Sequence, residues 1–270
     1  MKKMLALLLA LVMVLSLAAC ASSQPAAAST ETAETTETTE PTAEESAEAP
    51  AESGKTYTVG VCQLVQHEAL DAATQGFIDA LKEELGDAVT VDVQNASGDS
   101  VNCGTIVNGF VSKGVDLIMA NATPALTAAV SATADIPILG TSITAYGVAL
   151  DIDDFNGTVG GNVSGTSDLA DLQAQAQMIL DWFPETKTVG LLFCSAEPNS
   201  RYQIDEVRKA LEAQGVTCEE FAFTDSNDVS SVAQKAADFS DVVYIPTDNT
   251  AASNTEAIAN VLIPAGVPAI

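Results

Sequence analysis

Short apolar runs alternate with longer amphipathic runs along most of this chain, and this alternation restricts its fold more than any other feature. The pattern predicts a strand at Tyr57–Cys62 and a helix at Leu70–Leu85, whose apolar residues share one face. The predicted elements that follow are a strand at Val89–Val93, a helix at Val101–Ser112, a strand at Asp116–Ala120, a helix at Pro124–Ala134 capped by Thr123, and a strand at Ile136–Leu139. Such alternation builds parallel sheets with helices on both faces.

The segment Thr141–Ser167 interrupts this rhythm, because it is rich in Gly, Thr, Ser and Asn and predicts a loop or crossover. The alternation then resumes with helices at Leu169–Phe183, Arg201–Gln214, Val229–Ala237 and Ala251–Ile263, and with strands at Thr188–Cys194, Val216–Phe221, Asp241–Ile245 and Val267–Ile270. The interruption predicts two doubly wound lobes joined by a hinge, the first at 55–162 and the second at 163–270. One continuous sheet is the alternative.

The N-terminus predicts export from the cytoplasm. Lys2 and Lys3 precede an apolar run, Met4–Ala19, that is shorter than a typical membrane-spanning helix, so residues 1–20 match a secretory signal. The sequence Leu-Ala-Ala-Cys at 17–20 resembles the lipobox of bacterial lipoproteins, and this resemblance implies a lipid on Cys20 and an extracytoplasmic, membrane-anchored protein. The alternative is an ordinary signal peptide with an incidental cysteine.

Residues 21–54 predict a disordered tether. They are almost entirely Ala, Thr, Ser, Glu and Pro, with eight glutamates and no basic residue, so they contain too little apolar surface to offset chain entropy. The 216 residues after this segment carry 8 basic and 29 acidic side chains. This acidic balance argues against nucleic acid and polyanionic substrates, because phosphate binding requires a basic surface.

Small polar side chains follow the predicted strands in both lobes, where open parallel sheets bind their ligands. These residues include Gln66, His67, Asn121, Thr123, Thr141, Ser142 and Thr144 in the first half and Glu197, Asn199, Ser200, Thr247, Asp248 and Asn249 in the second. They suit a small polar ligand whose carboxylate is held at a helix start such as Thr123-Pro124. A ligand ammonium requires an acid, for which Asp248 or Glu197 is available. The alternative is that these residues only cap the following helices.

Signatures of catalysis are absent from the sequence. There is no GxGxxG after a strand, no phosphate-binding loop, no GxSxG nucleophile elbow and no cluster with metal-ligand spacing, so we expect neither an enzyme, a cofactor nor a metal site. His67 is the only histidine, and it is either a cleft residue or a solvent-facing residue. Cys62, Cys103, Cys194 and Cys218 are expected to be structural thiols, although a Cys194–Cys218 disulfide stays open.

Several segments together resemble the ABC-transporter substrate-binding lipoproteins of the tryptophan/tyrosine-transporter type. These segments are 59–61 (VGV), 65–71 (VQHEALD), 76–81 (GFIDAL), 120–125 (ANATPA), 162–168 (NVSGTSD), 197–200 (EPNS) and 245–250 (IPTDNT). The resemblance covers about 57–270. It implies a type I periplasmic-binding-protein fold with a cleft between two lobes, and a chain truncated at its C-terminal end.

The resemblance also implies the function. It predicts a monomeric binding protein that delivers an amino acid, with aromatic ones favoured, to a membrane permease and its ATPase. The residues that match the family's motifs in the cleft are Gln66, His67, Asn121, Thr123, Thr141, Ser142, Ser167, Asp168, Glu197, Asn199, Ser200, Asp248 and Asn249. Three aromatic residues are candidates for the walls of the site or for packing: Tyr146, Phe155 and Tyr202.

Three alternatives stay open. The same fold serves sensory modules that report a ligand to a membrane receptor, and it also hosts binding proteins for nucleosides, sugars and other small metabolites. An extracellular enzyme on this fold would need residues such as Asp248 or His67 for turnover.

Overall fold

Two parallel sheets organise residues 54–270, the part of the chain that the computed structural model describes. The strands are β1 (Tyr57–Gln63), β2 (Val89–Asn95), β3 (Leu117–Asn121), β4 (Ile138–Ile143), β5 (Val163–Ser167), β6 (Thr188–Cys194), β7 (Thr217–Phe223) and β8 (Val242–Tyr244). The helices are α1 (Glu68–Leu85), α2 (Ser100–Lys113), α3 (Thr123–Ala132), α4 (Tyr146–Ala149), α5 (Leu172–Trp182), α6 (Pro198–Glu212), α7 (Val229–Phe239), α8 (Asn249–Ser253) and α9 (Thr255–Ala265). The predicted signal peptide with Cys20, and the predicted tether up to residue 53, lie outside the described residues.

The first lobe contains the five-stranded sheet, whose order is β2-β1-β3-β4-β5. Alternate side chains of β1 point to opposite faces. Gly60 lies under the Phe110 ring of α2, while the Gln63 amide oxygen accepts a hydrogen bond from Thr74 of α1 at 2.6 Å. Helices therefore cover both faces of this sheet, as the βα alternation predicts.

The second lobe contains a three-stranded sheet of order β7-β6-β8. Successive residues of β6 enter two different apolar clusters: Leu191 and Phe193 pack with α5 and α6, and Leu192 and Cys194 pack with α7 to α9. The predicted strand at 267–270 extends this sheet beside β8 through a parallel bridge from Ala269 to Val243. Both faces of β6 are therefore buried, which explains its continuous apolar sequence.

The boundary between the two sheets lies later than the predicted boundary at 162. Residues 163–167 form β5, which pairs in parallel with β4 in the first sheet. The predicted loop 141–167 thus contains the end of β4, the short helix α4 and an edge strand. Gly, Ser and Thr dominate β5 (VSGTS), and it is largely exposed, so it lacks the apolar pattern of a buried strand.

Three smaller predictions need correction. Ala122 precedes α3 as its N-cap, and Thr123 is the first helical residue. The predicted helix 251–263 is two helices, α8 and α9, separated at Asn254. A Cys194–Cys218 disulfide is excluded, because Cys194 is paired with Phe223 and Cys218 with Val189. Five residues of strand separate the two positions, or about 16 Å, and both thiols are free.

No helix within residues 54–270 combines the length and the apolar character needed to cross a membrane.

Candidate functional site

The segments that follow the strands of the two lobes meet across a cleft, and two hydrogen bonds join them there. The hydroxyl oxygens of Thr144, after β4, and Thr247, after β8, are 3.4 Å apart. Nε2 of His67, after β1, is 3.3 Å from Oδ1 of Asn249. The carboxyl ends of both parallel sheets therefore border one cleft, which is where ligands bind in folds of this kind.

The start of α3 presents polar groups at the first lobe's side of this cleft. Ala122 has a φ of 87°, an unusual value for a residue with a side chain, and this conformation directs the chain into the helix. Thr123 is 2% exposed, and its hydroxyl has no hydrogen-bond partner within the described residues. The first N–H groups of a helix also lack partners inside the helix, so this helix start suits a negatively charged group.

Asp168 lies where the chain leaves β5 for the second lobe, and its carboxylate has no basic partner. None of the ion pairs within residues 54–270 includes it. Burial of the carboxylate on its protein side raises the pKa of Asp168, and a hydrogen bond from the Thr144 hydroxyl opposes that rise. Because the residue itself is exposed, the carboxylate is open to a cation entering the cleft.

Glu197 occupies the turn between β6 and α6, and its carboxylate is enclosed by donors of its own lobe. Oε1 accepts from the backbone N–H and the hydroxyl of Thr250, at 2.8 and 2.9 Å. Oε2 accepts from the Asn249 backbone N–H at 3.1 Å, from the Asn249 amide at 2.6 Å and from the Asn199 amide at 3.3 Å. Because five donors surround this carboxylate and Glu197 is only 2% exposed, a ligand ammonium cannot reach it to donate a further hydrogen bond.

Asp248 is the second buried acid, and it also serves its own lobe. Its carboxylate caps α8 by accepting from the Ala251 N–H at 2.7 Å, and it accepts from the Cys194 N–H at 2.6 Å. Burial and the charge of Glu197 raise the pKa of Asp248 to about 7. The geometry thus gives Glu197 and Asp248, the two acids proposed for an ammonium, roles in holding the second lobe together.

The other site residues predicted from the sequence divide between the cleft and the lobe interiors. Asn121 is fully buried and donates to the Leu70 carbonyl and the Thr74 hydroxyl, so it joins β3 to α1. Asn199 and Ser200 are buried in the first turn of α6, next to Glu197 and Asp248. The remaining predicted residues lie at strand ends, in loops or at the start of α8 and are exposed or half-buried: Gln66, His67, Thr141, Ser142, Ser167 and Asn249.

Gln203 is a residue of the site that the sequence analysis did not name, whereas Thr144 and Thr247 were among the predicted strand-end residues but not among those matched to the family's cleft. The Gln203 amide oxygen accepts from both the Thr247 N–H and the Thr247 hydroxyl, at 3.2 and 2.8 Å. Gln203 is one turn after Asn199 on the buried face of α6, and it is 1% exposed. A polar pair at i and i+4 on an otherwise apolar helical face was the signal available in the sequence.

The three aromatic candidates for the cleft walls are engaged in packing. Tyr146 is buried in the first lobe's apolar cluster and donates its hydroxyl to the Gly140 carbonyl at 3.1 Å. Tyr202 packs against the second lobe's cluster, and Phe155 packs against Gly147. Within residues 54–270, no group of three or more His, Cys, Asp or Glu side chains is placed to hold a metal ion.

Comparison with known proteins identifies a family over nearly all of the described residues. The family of ABC transporter substrate binding proteins matches residues 58–270. A tyrosine-binding protein of Clostridioides difficile is 33% identical over 225 residues, which are 81% of this chain and 64% of that protein. The chain therefore spans less than two thirds of the length of this relative.

Solved structures give the same fold. An ABC domain of Streptococcus pneumonia in complex with L-Trp is similar with a TM-score of 0.75 and 33% identity, over 80% of this chain and 73% of that one. The ligand-free, open structure of a substrate-binding protein with adhesive properties from Clostridium difficile has a TM-score of 0.53 and 35% identity, over 80% and 74%. Identity and coverage are almost equal in the two cases, so the overall geometry of this chain is closer to that of the L-Trp complex.

These likenesses confirm the expected fold class, an α/β fold of the type I periplasmic-binding kind with two parallel sheets. Proteins of the matching family are extracytoplasmic and bind substrates for transport; they are not enzymes. The match over 58–270 and the 33% identity to the C. difficile protein agree, and the chain belongs to the family of ABC transporter substrate-binding proteins.

Proposed function

We propose that this protein binds an aromatic L-amino acid, tyrosine or tryptophan, between its two lobes and delivers it to an ABC permease and its ATPase. The observation that carries the proposal is the Asp168 carboxylate, which has no ion-pair partner within residues 54–270 and lies on the same sheet edge as the start of α3. Strands β3 and β5 are separated only by β4, so Asp168 and Thr123 follow strands that are about 10 Å apart. The two positions suit the two charges of an amino acid.

Each charge of the ligand has one partner in this arrangement. The ammonium pairs with Asp168, because Glu197 and Asp248 are already saturated by donors of the second lobe. The carboxylate accepts from the N–H groups at the start of α3 and from the Thr123 hydroxyl, which has no partner within residues 54–270. A ligand without an ammonium group would leave Asp168 unpaired.

The aromatic character of the ligand is supported by relatives. The C. difficile protein is a tyrosine-binding protein, and the S. pneumonia domain was solved with L-Trp, each at 33% identity to this chain. Tyr146 and Tyr202 pack in the lobe interiors. The aromatic ring of the ligand would therefore lie against aliphatic side chains and backbone of the cleft.

A ligand screen by thermal shift and calorimetry on the full chain tests this function. A ligand that binds only the folded state stabilises it by RT ln(1 + [L]/Kd), about 2.7 kcal/mol at a hundredfold excess over Kd. We expect L-tyrosine or L-tryptophan to give the largest shift among the amino acids, and aromatic acids without an amino group to give a much smaller shift at the same concentration. No shift with any amino acid would overturn the proposal.

We also propose that a lipid on Cys20 anchors the protein to the outer face of the cell membrane. The Leu-Ala-Ala-Cys sequence at 17–20 supports this, since diacylation at such a cysteine gives two chains and firm attachment. The full chain expressed in bacteria should partition into the detergent phase, and a Cys20→Ala variant should not. Equal partitioning of both proteins would contradict the lipid anchor.

A further inference from the structure

The segment 246–250 of the second lobe contacts the first lobe at two points that flank Asp248. Thr247 meets Thr144 on one side, and Asn249 meets His67 on the other. These two contacts are the side-chain hydrogen bonds that cross the cleft among residues 54–270. The segment is short, so both contacts move together when the lobes separate.

The hydrogen-bond network fixes which side of the His67–Asn249 contact donates. The Asn249 amide nitrogen donates to Glu197 Oε2 at 2.6 Å, and Glu197 also holds the Asn249 backbone N–H. This leaves Asn249 Oδ1, an acceptor, facing His67 at 3.3 Å. His67 must therefore carry a hydrogen on Nε2, because two acceptors cannot bond to each other.

The same reasoning fixes the second contact. The Gln203 amide nitrogen donates to the Asn199 and Thr247 carbonyls, at 3.1 and 3.3 Å, so its amide oxygen is an acceptor. The Thr247 hydroxyl donates its only hydrogen to that oxygen, at 2.8 Å. Toward Thr144, the Thr247 hydroxyl can then only accept, and Thr144 shares its single hydroxyl hydrogen between Thr247 and the Asp168 carboxylate.

We propose that segment 246–250 is a latch for the closed form, in which Thr247 and Asn249 offer two fixed acceptor oxygens to donors of the first lobe. Glu197 and Gln203 are the positioning residues, because they orient these oxygens from within the second lobe and are 2% and 1% exposed. The proposal rests on the proposed function, in which a ligand is enclosed between the lobes. The greater similarity to the L-Trp complex than to the open relative is consistent with a latched state.

The latch makes the rate of ligand release depend on contacts between the two lobes as well as on contacts with the ligand. Each contact is a single hydrogen bond, and its loss should speed dissociation of L-tyrosine by about 2- to 10-fold. The association rate should change less, because the open form that admits the ligand does not contain either bond.

A double-mutant cycle on the full chain tests the latch, with stopped-flow dissociation of L-tyrosine as the readout. We expect His67→Ala and Asn249→Ala each to speed dissociation, and the double variant to be no faster than the faster single variant. His67→Gln retains an N–H donor and should restore most of the slow dissociation. Asn254→Ala is the matched control, because the Asn254 amide bonds only within the second lobe.

Multiplicative effects of His67→Ala and Asn249→Ala, or unchanged dissociation in both, would overturn the latch. X-ray scattering of the ligand-free chain separates this failure from failure of the proposed function. Without ligand the lobes still sample the closed form, and only that form contains the two bonds. If wild-type protein binds no aromatic amino acid, the latch therefore predicts a smaller closed fraction, and so a larger radius of gyration, for Asn249→Ala than for Asn254→Ala. Equal radii for these two variants would overturn the latch without reference to any ligand.

Discussion

Glu197 and Asp248 are adjacent buried acids in the second lobe, and each accepts hydrogen bonds from backbone groups. Their neighbours in sequence, Asn199, Ser200 and Asn249, donate to them or lie beside them. Acids at strand ends are candidates for binding a ligand ammonium, but here their carboxylates accept hydrogen bonds from donors of their own lobe. The burial of a carboxylate and the number of hydrogen bonds that it accepts therefore determine its role.

Glu197→Gln should destabilise the second lobe by about 1–3 kcal/mol. An amide places an NH₂ group where the structure has only donors, so at least one buried N–H or hydroxyl loses its acceptor. Urea unfolding of the full chain measures the change. Glu212→Gln, at the exposed end of α6, is the control and should alter stability by less than about 0.5 kcal/mol. A Glu197→Gln variant as stable as wild type would show that this network is dispensable.

Asp248 should make stability increase as the pH falls. Its pKa is raised to about 7 in the folded protein by burial and by the charge of Glu197, whereas an unfolded aspartate titrates near 3.8. Between these pH values the folded state binds a proton that the unfolded state does not, so this group favours folding increasingly as pH decreases from about 7 to about 4.

Comparison with Asp248→Asn isolates this contribution, since asparagine does not titrate. The unfolding free energy of wild type minus that of the variant should grow as the pH is lowered from 8 to 5. A difference independent of pH would contradict a raised pKa at Asp248.

The sequence predicts which residues lie near the cleft better than it predicts what each side chain does there. Some polar residues at strand ends, such as His67 and Thr144, do contact the other lobe across the cleft, because parallel strands end at one edge of a sheet, whereas others are buried inside a lobe. Asp168 and Asp248 are both acids after strands, and only burial and partners separate an accessible carboxylate from a structural one. Gln203 was missed because it is on a helix, one turn away from the strand end whose loop it orients.

At the scale of elements, helix α2 packs on β1 through one close approach of Phe110 to Gly60. A methyl group at Gly60 would lie 2.6 Å from the Phe110 ring, which is fully buried between the helix and the sheet. The absence of a side chain at this position therefore sets the distance between α2 and the first sheet.

Gly60→Ala should destabilise the protein by about 1–3 kcal/mol, because the ring and the helix must shift. Gly76→Ala, in the exposed interior of α1 with no atom within 4 Å of the added methyl, is the matched control. Alanine favours helix there by about 0.5–1 kcal/mol, so this variant should be neutral or more stable. Chemical denaturation measures the free energy of unfolding of the two variants. Equal changes in this free energy would contradict the close packing of α2 on β1.

Element prediction from the sequence succeeded where a strand is buried on both faces and failed where it is not. The strand at 188–194 was predicted with its observed limits, because every residue after Thr188 in TVGLLFC is apolar and buried. Strand β5 was missed because it is an exposed edge made of small polar residues, held by pairing with β4 rather than by apolar burial. The predicted lobe boundary at 162 was therefore too early.

At the scale of the whole molecule, two lobes with different polar edges form one cleft. The first lobe contributes Asp168, which has no ion-pair partner within residues 54–270, and the Thr123 hydroxyl, which has no hydrogen-bond partner there. The second lobe contributes the oriented acceptors of segment 246–250. Under the proposed function and the proposed latch, this division assigns ligand charge recognition to the first lobe and closure to the second. It also predicts that recognition and closure respond to different mutations.

Recognition of the ligand ammonium by Asp168 should depend on pH. Burial raises the pKa of this carboxyl, so a protonated fraction appears sooner than for an exposed aspartate as the pH falls. Protonation removes the ion pair, and affinity for an amino acid should therefore decrease as the pH is lowered through that pKa. Calorimetric titrations at several pH values measure the effect, and an affinity that increases toward low pH would contradict the assignment.

The measurement that tests the central claim most directly is a calorimetric comparison of two ligands with two proteins. The ligands are L-tyrosine and 3-(4-hydroxyphenyl)propanoate, which lacks only the amino group, and the proteins are wild type and Asp168→Asn. We predict that wild type binds L-tyrosine far more tightly than the analogue, and that Asp168→Asn weakens L-tyrosine binding by about 10- to 100-fold while leaving the analogue unchanged. Equal binding of the two ligands by wild type, or full L-tyrosine affinity in Asp168→Asn, would contradict it.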